Sequence, residues 1–594
     1  MRAMVPFLRH LLSAATLSSV CFLQACAALP PLPHRTESRA IPGTTASAFA
    51  RKVSAERGNA SPAQSGVRLL AGGEEALSTL LALVDGAEHT LDLQYYAVLN
   101  EASTRLLLQR VRAAANRGVR VRMLIDDFNT SGTDDALLRL TRHPRMEVRL
   151  YNPLPGGRFS LPTRVIASLH DVGRINNRMH NKQLVADNAL AVTGGRNLGD
   201  AYFLQGADAN FVDLDLLVAG PVVQQLSATF DRYWASELAY PADAIISPDK
   251  AGSAPAAGDS PLSSAAAGTA TPQASSPAPA ASQAARMESA PVTAPTRAVP
   301  PERPPASAAS KAVPEVPPGE PASAPKLPPV ASAPMDAPSG LDVPTLERLK
   351  AQADALRAGP LKLQWMPARL WADRPSKTSS EGTPSPDEIM FDDFAGLMRS
   401  ARQEVFLVTP YFVPGQPGMA VIRELRQRGI RVRILTASLA GTDAPAVYLG
   451  YSRYREALLK LGVELYELRA EPGGPQPPRF GGVHSRTNLH AKAMLVDGGT
   501  VVVGSMNFDP RSANLNTEMG LVTRSTRFAA QVNELLTEIT RRAAWRLSLE
   551  DGGLLWSHTD DKGQALRVTH EPDTSVFKRL GLKLLGPLAP EEML

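Results

Sequence analysis

The chain has little cysteine and few aromatic residues. Of its 594 residues only two are cysteine, Cys21 and Cys26, so the sequence beyond them offers no thiol for a disulfide or a thiolate metal site. Aromatic residues make up 5%, which gives little support for a groove that stacks nucleic-acid bases. The 63 basic and 58 acidic residues are too evenly balanced for charge alone to indicate nucleic-acid binding.

Long apolar runs are also absent after the first 23 residues, and the N-terminus itself has the features of an export signal. Arg2 and Arg9 precede an apolar run over 11–23 that is too short to span a bilayer. Leu23, Gln24 and Ala25 then lead to Cys26, an arrangement that resembles a bacterial lipoprotein signal in which this cysteine is acylated, although Gln24 is an uncommon residue in that motif. We therefore predict a signal over 1–26 and a lipoprotein on the periplasmic side of the cell envelope. Ordinary cleavage and an uncleaved anchor are the alternatives.

Proline is abundant but unevenly distributed. Of the 51 prolines, 21 fall in residues 248–340, a stretch rich in alanine and serine that has no Phe, Trp or Tyr. Such a segment cannot bury enough apolar surface to offset the entropy of ordering, so we predict a disordered linker. The 44% hydrophobic content leaves enough apolar residues for packed cores elsewhere. We predict a first lobe over 65–245, a second lobe over 360–550 and a C-terminal extension over 551–594.

The two predicted lobes share a local pattern. Each has a strand, a helix that ends at a glycine, and a second strand; the segments are 90–96, 101–116 and 119–125 in the first lobe, and 405–412, 419–427 and 430–435 in the second. This order predicts a βαβ unit with parallel strands in each lobe. Arginines alternate with apolar residues in both second strands, which predicts that the arginine side chains face solvent.

The repeat continues into residues that carry chemistry. Each lobe has a histidine, a lysine two residues later, an aspartate five residues after the lysine, and then a glycine followed three residues on by asparagine. These residues are His180, Lys182, Asp187, Gly194 and Asn197 in the first lobe, and His490, Lys492, Asp497, Gly504 and Asn507 in the second. The histidines are 310 residues apart and the helix-ending glycines, Gly118 and Gly429, are 311 apart. A register kept over this length indicates an internal duplication.

The duplicated residues predict chemistry on a phosphodiester. Side chains two apart on a strand point to the same face, so each lobe presents an imidazole and an ammonium together. A pseudo-twofold would bring two such sets around one pocket, where one imidazole attacks phosphorus and the other protonates the leaving oxygen. Lysine and asparagine donate hydrogen bonds that suit phosphate oxygens. Because the lysines supply positive charge, we expect no metal and no other cofactor.

The paired His-x-Lys-x4-Asp motifs resemble the signature of the phospholipase D superfamily. The stretches 178–182, 194–203, 504–512 and 516–518 are similar to its bacterial cardiolipin synthase-like branch. The resemblance implies an α/β fold of two similar lobes related by a pseudo-twofold, each a mixed sheet flanked by helices. It also implies one active site at the lobe interface and a covalent phosphohistidine intermediate. Gly195 departs from the pattern, because many members carry serine there, whereas the second lobe keeps Ser505.

The resemblance also implies roles for individual residues. We expect His180 to be the nucleophile and His490 the general acid and then base, with the reverse assignment open. The phosphate oxygens are expected to be held by Lys182, Lys492, Asn197, Asn507 and Ser505. Glu518 resembles the family's acidic residue that orients a histidine, and its counterpart in the first lobe is Asp215 or, alternatively, Asp213. We expect Asp187 and Asp497 to hold turns or neighbouring backbone, and Tyr96 and Tyr411 either to line the pocket or to pack in the core.

The substrate class is predicted from context. The export signal, the similarity to cardiolipin synthases and a basic, apolar C-terminal segment over 576–585 favour membrane phospholipids, with phosphatidylglycerol or phosphatidylethanolamine as partners and no nucleic acid. That segment either lies on an anionic surface or packs on the second lobe. A lipid alcohol as acceptor gives cardiolipin, and water gives phosphatidic acid. A secreted phosphodiesterase or nuclease is an alternative; a non-enzymatic scaffold is disfavoured because both motifs keep His, Lys and Asn.

Overall fold

The structure is a computed structural model that describes residues 29–32, 35–42, 47–130, 133–155, 158, 164–165, 168, 171–206, 209–246, 340–379, 389–470, 486–560 and 562–585. The predicted signal and Cys26 lie outside these residues, as does the predicted linker apart from its last residue. Both remain predictions. Among the described residues, no helix combines the length and the apolar character that crossing a bilayer requires.

The first lobe is built on a nine-stranded mixed sheet. Its strands are β1 (Ser65–Leu70), β2 (Thr90–Ala97), β3 (Arg120–Asn129), β4 (Met146–Tyr151), β5 (Gln183–Ala186), β6 (Leu190–Gly194), β8 (Asp215–Ala219), β9 (Ala239–Pro241) and β10 (Gln364–Met366), while β7 (Ala209–Val212) lies outside it. The strand order is β10-β1-β8-β6-β5-β2-β3-β4-β9. Its helices are α1 (Ala48–Arg57), α2 (Gly73–Gly86), α3 (Ala102–Asn116), α4 (Asp134–Thr141), α5 (Val172–Asn176), α6 (Pro221–Trp234), α7 (Ala242–Ile245) and α8 (Val343–Ala358), with a 3-10 turn at Asp200–Phe203.

The second lobe repeats this plan around a ten-stranded sheet. Its strands are β11 (Ala368–Ala372), β12 (Glu404–Val408), β13 (Arg431–Ala437), β14 (Glu464–Leu468), β16 (Ala493–Val496), β17 (Thr500–Gly504), β18 (Met519–Arg524), β19 (Ala544–Glu550), β20 (Gly553–Thr559) and β21 (Ala565–Val568), while β15 (Arg486–Leu489) lies outside it. The order is β11-β18-β17-β16-β12-β13-β14-β19-β20-β21. Its helices are α9 (Met390–Arg399), α10 (Gly415–Gln427), α11 (Pro445–Ser452), α12 (Arg455–Lys460), α13 (Pro510–Asn514), α14 (Thr526–Ala543) and α15 (Val576–Leu585), with a 3-10 turn at Pro375–Thr378.

The predicted βαβ units and the α/β fold class are confirmed. Strand β2 pairs in parallel with β3, and β12 pairs in parallel with β13. Gly118 and Gly429 follow the intervening helices with φ angles of 102° and 76°. A residue with a Cβ rarely adopts such angles, which explains why a glycine ends the helix in both copies.

The prediction of solvent-facing arginines on these strands is wrong for one residue in each lobe. Arg122 is buried and forms a two-pronged ion pair with Asp92, the residue opposite it on β2, with nitrogen–oxygen distances of 2.7 and 2.8 Å. Arg433 is also buried and pairs with Glu404. The alternation is real, but the polar face is covered at Arg122 and at Arg433, and each of these two guanidinium groups has a carboxylate partner, as buried charges require.

The inner faces of the two sheets meet in one shared apolar core. The first lobe contributes β1, β8 and α6 residues such as Val67, Leu216 and Leu226. The second contributes β12, β17 and α14 residues such as Phe406, Val503 and Val532, all buried in the same cluster. Separate apolar clusters lie under the outer helices of each lobe. Because the central core needs both sheets, both lobes fall within one compact unit.

The segment that follows the predicted linker belongs to the first lobe and not to the second. Ile246 and Leu349, which flank the predicted linker, are both buried in the core of the first lobe, and β10 pairs with β1. The chain therefore returns to the first lobe after that segment. The second sheet begins only at β11, so Pro367 alone separates the two sheets in sequence. The predicted C-terminal extension includes β20 and β21, which complete the second sheet.

Candidate active site

Backbone hydrogen bonds between the lobes, at two equivalent places, bring the histidines together. Strand β15 of the second lobe pairs in parallel with β7 of the first, and the His490 amide donates to the Val212 carbonyl at 2.8 Å. In the matching place, the His180 amide donates to the Thr517 carbonyl at 2.9 Å. Each histidine thus lies beside the residue that precedes a carboxylate of the opposite lobe. The His-x-Lys segments come just before β5 and β16, not within them as predicted, because they pair across the interface.

His180 is held by the second lobe. Its Nδ1 lies 2.8 Å from Glu518 Oε2, and both side chains are buried. Burial lowers the pKa of His180 to about 4, so the ring is neutral at pH 7. Burial alone would raise the pKa of Glu518, but the contact with His180 brings it below its usual value, so the carboxylate is ionised. The ring therefore donates Nδ1–H to Glu518 and keeps a lone pair on Nε2.

His490 is held in the same way by the first lobe. Its Nδ1 lies 2.5 Å from Asp213 Oδ2, and Asp213 is fully buried. Burial opposes ionisation of Asp213, but His490 lowers its pKa to about 2. Burial and the neighbouring Lys492 lower the pKa of His490. As in the other pair, a neutral imidazole faces an ionised carboxylate, and Nε2 is left for substrate.

The assignment of the orienting role to Asp215 is therefore corrected to Asp213. Asp215 lies opposite Gly194 on β6 and accepts from Arg196, with one oxygen 3.3 Å from Nη1, so its charge is used within the first lobe. The sheet register shows why. Gly504 pairs with Gly520 as Gly194 pairs with Asp215, which makes Asp213 the equivalent of Glu518.

The glycine at position 195 makes room for this shorter carboxylate. A Cβ on Gly195 would lie 2.1 Å from Asp213 Oδ1, which is far inside contact distance. In the second lobe Ser505 has the equivalent position, and its hydroxyl donates to Glu518 at 2.5 Å. Ser505 therefore contacts the carboxylate that orients His180, and its contact with phosphate remains a prediction. The departure of Gly195 from the family pattern goes together with aspartate at 213.

The two motif lysines are buried beside the histidines. Lys182 Nζ donates to the His180 carbonyl and Lys492 Nζ to the His490 carbonyl, each at 2.5 Å. Burial lowers the pKa of Lys182 to about 7 and that of Lys492 to about 8. Each ammonium has three N–H groups, so donors remain for an anionic ligand, whose negative charge would favour the protonated form.

Aromatic rings flank both histidines. Tyr96 contacts the His180 ring edge-on, with centroids 4.9 Å apart, which favours pocket lining over core packing for this residue. Tyr202 and Phe211 contact the His490 ring, each at 5.1 Å. The sequence indicated no role for Tyr202 or Phe211, although Tyr202 lies in the family-like stretch 194–203 and Phe211 lies two residues before Asp213. Only the cross-lobe pairing places them next to a histidine of the other lobe.

The motif asparagines are also buried in the site. The Asn197 amide donates to the Tyr202 hydroxyl at 3.1 Å and accepts from the Ala97 amide at 3.2 Å. Asn507 Oδ1 lies 3.5 Å from Thr409 Oγ1. These contacts fix the orientation of each amide, and the phosphate-binding role of both asparagines remains a prediction.

An unexpected carboxylate lies near the site. Tyr411 donates to Asp443 at 2.8 Å, and the charge of Asp443 acts to raise the pKa of both His490 and Lys492. Asp443 is exposed, so it stands on the solvent side of the buried residues. Nothing in the spacing of the motifs points to it, because it follows β13 in a segment that has no counterpart motif.

The motif aspartates have a structural position. Asp187 accepts from the backbone amides of residues 88, 89 and 90, at 2.8 to 3.2 Å. Asp497 accepts from those of 402, 403 and 404, at 2.7 to 3.2 Å. Both aspartates have a φ of 51°. Each carboxylate ties a tight turn to the start of a neighbouring strand, and neither is hydrogen-bonded to His180 or His490.

One large cleft lies apart from the histidines. A cleft of about 1660 Å³ is bordered by α2, α8 and α14, and its lining of mixed charge includes neither histidine. In the part of the chain that the structure describes, no group of three or more His, Cys, Asp or Glu is placed to hold a metal ion.

Comparison with known proteins matches both lobes. The family described as cardiolipin synthase, PLD-like domain, matches residues 80–234 and 395–540. The chain is 34% identical to cardiolipin synthase C of Escherichia coli (strain K12) over 90% of this chain and 97% of that protein. It is 28% identical to an uncharacterised protein of Helicobacter pylori (strain ATCC 700392 / 26695), over 91% of each.

A solved structure shows the same fold. The crystal structure of phosphatidylserine synthase from Haemophilus influenzae Rd KW20 superposes with a TM-score of 0.50, covering 92% of this chain and 99% of that one. The sequence identity is 11%, so the likeness concerns the fold.

Proposed function

The chain belongs to the cardiolipin synthase, phospholipase D-like family, and we propose that it is a phosphatidyltransferase that makes cardiolipin from phosphatidylglycerol. The observation that carries this is the pair of buried histidines, each held through Nδ1 by an ionised carboxylate of the opposite lobe. Such a pair supplies a nucleophile and an acid–base group on one phosphodiester.

The first half of the reaction forms a covalent intermediate. His180 Nε2 attacks the phosphorus of phosphatidylglycerol. The bond from phosphorus to the oxygen of the headgroup glycerol breaks, and His490 gives a proton to that oxygen. Glycerol leaves, and the phosphatidyl group stays on His180. Lys182 and Lys492 balance the charge that develops on the phosphate oxygens. The phosphate charge also favours the protonated form of His490, which the free site disfavours.

The second half transfers the phosphatidyl group to an acceptor. His490 takes a proton from the glycerol hydroxyl of a second phosphatidylglycerol, the resulting oxygen attacks phosphorus, and the bond to His180 breaks. The products are cardiolipin and glycerol. If water is the acceptor, the same steps give phosphatidic acid. Phosphatidylethanolamine as donor would release ethanolamine in place of glycerol.

We also propose that the protein works outside the cytoplasm. The support is the N-terminal sequence, in which a basic region and a short apolar run lead to Cys26. Acylation of Cys26 would hold the enzyme at its lipid substrates. Labelling with a radioactive fatty acid tests this, since the Cys26→Ser chain should take up no label while the unaltered chain does.

The decisive experiment incubates the purified full chain with labelled phosphatidylglycerol, with and without phosphatidylethanolamine. We expect cardiolipin, and we expect His180→Ala and His490→Ala each to abolish it while the circular dichroism spectrum is unchanged. Trapping the label on protein at acid-labile histidine in His490→Ala, and not in His180→Ala, would assign His180 as the nucleophile. Full activity in either variant would exclude the mechanism, and phosphatidic acid as the sole product would replace transfer by hydrolysis.

A further inference from the structure

The C-terminal helix α15 presents a bare apolar surface. Phe577 is 86% exposed, Val576 is 65% exposed and Leu580 is 54% exposed. They are three of the eight large apolar side chains that stand exposed in the described part of the chain, and they fall within five residues. A concentration of this kind marks an interaction surface. The side chains of Val576, Phe577 and Leu580 therefore do not pack on the second lobe.

The charge of the same helix selects the kind of partner. Its ten residues, VFKRLGLKLL, include three basic residues and no acidic one. Lys578 donates to the Leu439 carbonyl at 2.9 Å, and Arg579 donates to the Thr574 carbonyl at 2.7 Å, so both cations are fixed next to the apolar side chains. Exposed apolar residues beside cations match an anionic phospholipid surface. The apolar side chains enter the headgroup region, and the cations attract the negative charge of the lipids.

The helix is attached beside the active site. Leu439, which receives the Lys578 contact, is buried in the core of the second lobe and comes four residues before Asp443. Burial and then the nearby charge of Arg486 lower the pKa of Lys578. Arg486 begins β15, the strand that leads to His490. The helix is thus hydrogen-bonded to the segment that leads to Asp443, and Lys578 lies near the start of the strand that leads to His490.

We propose that α15 docks on an anionic bilayer and so holds the opening of the site against the lipid headgroups. The inference rests on the proposed function, because it assigns the surface from which the phosphatidyl substrate comes. The expected binding partner of this helix surface is a phospholipid bilayer. A second copy of the chain or a protein partner is an outcome that the test can reveal.

The first test places a reporter on the helix. Phe577→Trp in the full chain is mixed with vesicles of phosphatidylcholine, alone or with 30% phosphatidylglycerol, that carry bromine on their acyl chains. We expect quenching of the added tryptophan on the anionic vesicles, above the quenching of the unaltered chain, and several-fold less on the neutral ones. Equal fluorescence with and without brominated lipid would overturn the proposal.

The second test uses a matched pair of variants. Val576 and Val343 are each the first residue of a helix, and they are 65% and 66% exposed. We expect Val576→Glu, and more strongly Phe577→Glu, to reduce turnover of phosphatidylglycerol in vesicles about tenfold, and Val343→Glu to leave it unchanged. All three variants should turn over a monomeric short-chain phosphatidylglycerol at the normal rate.

The two substrates separate the possible failures. If the unaltered chain does not turn over the short-chain lipid, the proposed function fails. If it does, and Phe577→Glu retains full turnover on vesicles, the docking proposal fails. A change of oligomeric state in Phe577→Glu with unchanged vesicle turnover would assign the surface to a second copy of the chain and likewise overturn the proposal.

Discussion

Asp213 and Asp215 are two residues apart, both buried and both ionisable, yet only Asp213 contacts a histidine. We expect Asp213→Asn to lower kcat by about 10²- to 10⁴-fold, because the neutral amide no longer stabilises protonated His490. Asp215→Asn should mainly weaken the buried pair with Arg196 and lower the thermal midpoint. Measuring kcat per folded molecule and the midpoint for both variants separates the two roles. The opposite pattern would return the orienting role to Asp215.

Gly195 and Ser505 occupy equivalent positions with different consequences. Gly195→Ala should displace Asp213, since the added Cβ would overlap its carboxylate, and a strain of about 1–3 kcal/mol predicts a loss of roughly 5- to 150-fold in kcat/KM. Ser505→Ala keeps its Cβ and removes the hydroxyl bonds to Glu518 and to the Met519 amide without adding an overlap, so we expect a smaller loss. A Gly195→Ala variant as active as the unaltered chain would show that the space at 195 is not needed.

The perturbed pKa values predict an unusual pH profile. As the pH falls towards the pKa of His180, about 4, protonation removes its attacking lone pair. As the pH rises through 7 to 8, buried Lys182 and Lys492 lose the charge that binds phosphate. The kcat/KM for a monomeric short-chain substrate, which reports on the free enzyme, should therefore fall on both sides of a maximum below pH 7. A flat profile from pH 7 to 9 would contradict the lysine assignment.

At the level of residues, the sequence was sufficient to predict both histidines and both lysines, because the duplication repeats them at one spacing. Glu518 was predicted from the family resemblance instead. The sequence did not show whether Asp213 or Asp215 orients a histidine. The reason is that β7 ends at Val212, so the alternation of side chains between the two faces of a strand does not continue through residue 213. Asp443 and Tyr202 had no detectable signal, because their relation to His490 exists only after the chain folds across the interface.

At the level of elements, the glycine-ended helices and their flanking parallel strands followed from local patterns. The tight turns after β5 and β16 depend on more distant contacts. Asp187 and Asp497 each hold three backbone amides at the start of a strand that lies 93 to 99 residues away in sequence. Burial distinguishes them, since Asp187 is buried and Asp497 is partly exposed.

This difference predicts unequal costs for the same substitution. We expect Asp187→Ala to lower the free energy of unfolding by about 2–4 kcal/mol, and Asp497→Ala by about 1 kcal/mol, because water can replace the lost bonds at the exposed turn. Urea denaturation of both variants measures this. The Asn variants, which keep one acceptor oxygen, should cost less at both sites, and a larger cost for Asp497→Ala would contradict the argument.

At the level of the whole molecule, the Pro-rich segment was predicted as a tether between lobes, but both of its flanks pack on the first lobe. The two sheets are joined in sequence at Pro367, and their inner faces share one core. We therefore expect deletion of most of residues 250–335 to leave kcat and the thermal midpoint unchanged, as measured on phosphatidylglycerol and by calorimetry. Replacing Pro367 with a long flexible insert serves as the contrast, because it loosens the true junction. Loss of activity in the deletion alone would assign the segment a role that composition does not reveal.

The crossed contacts between each histidine and the carboxylate of the other lobe constrain how such a chain can evolve. A single ancestral half would have lacked the partner for its own histidine, so it could have acted only as a symmetric dimer. After fusion, a substitution at Asp213 affects His490, and a substitution at Glu518 affects His180. In both cases the affected histidine lies in the other half. Halves taken from two different relatives should therefore recombine poorly, even where each is intact.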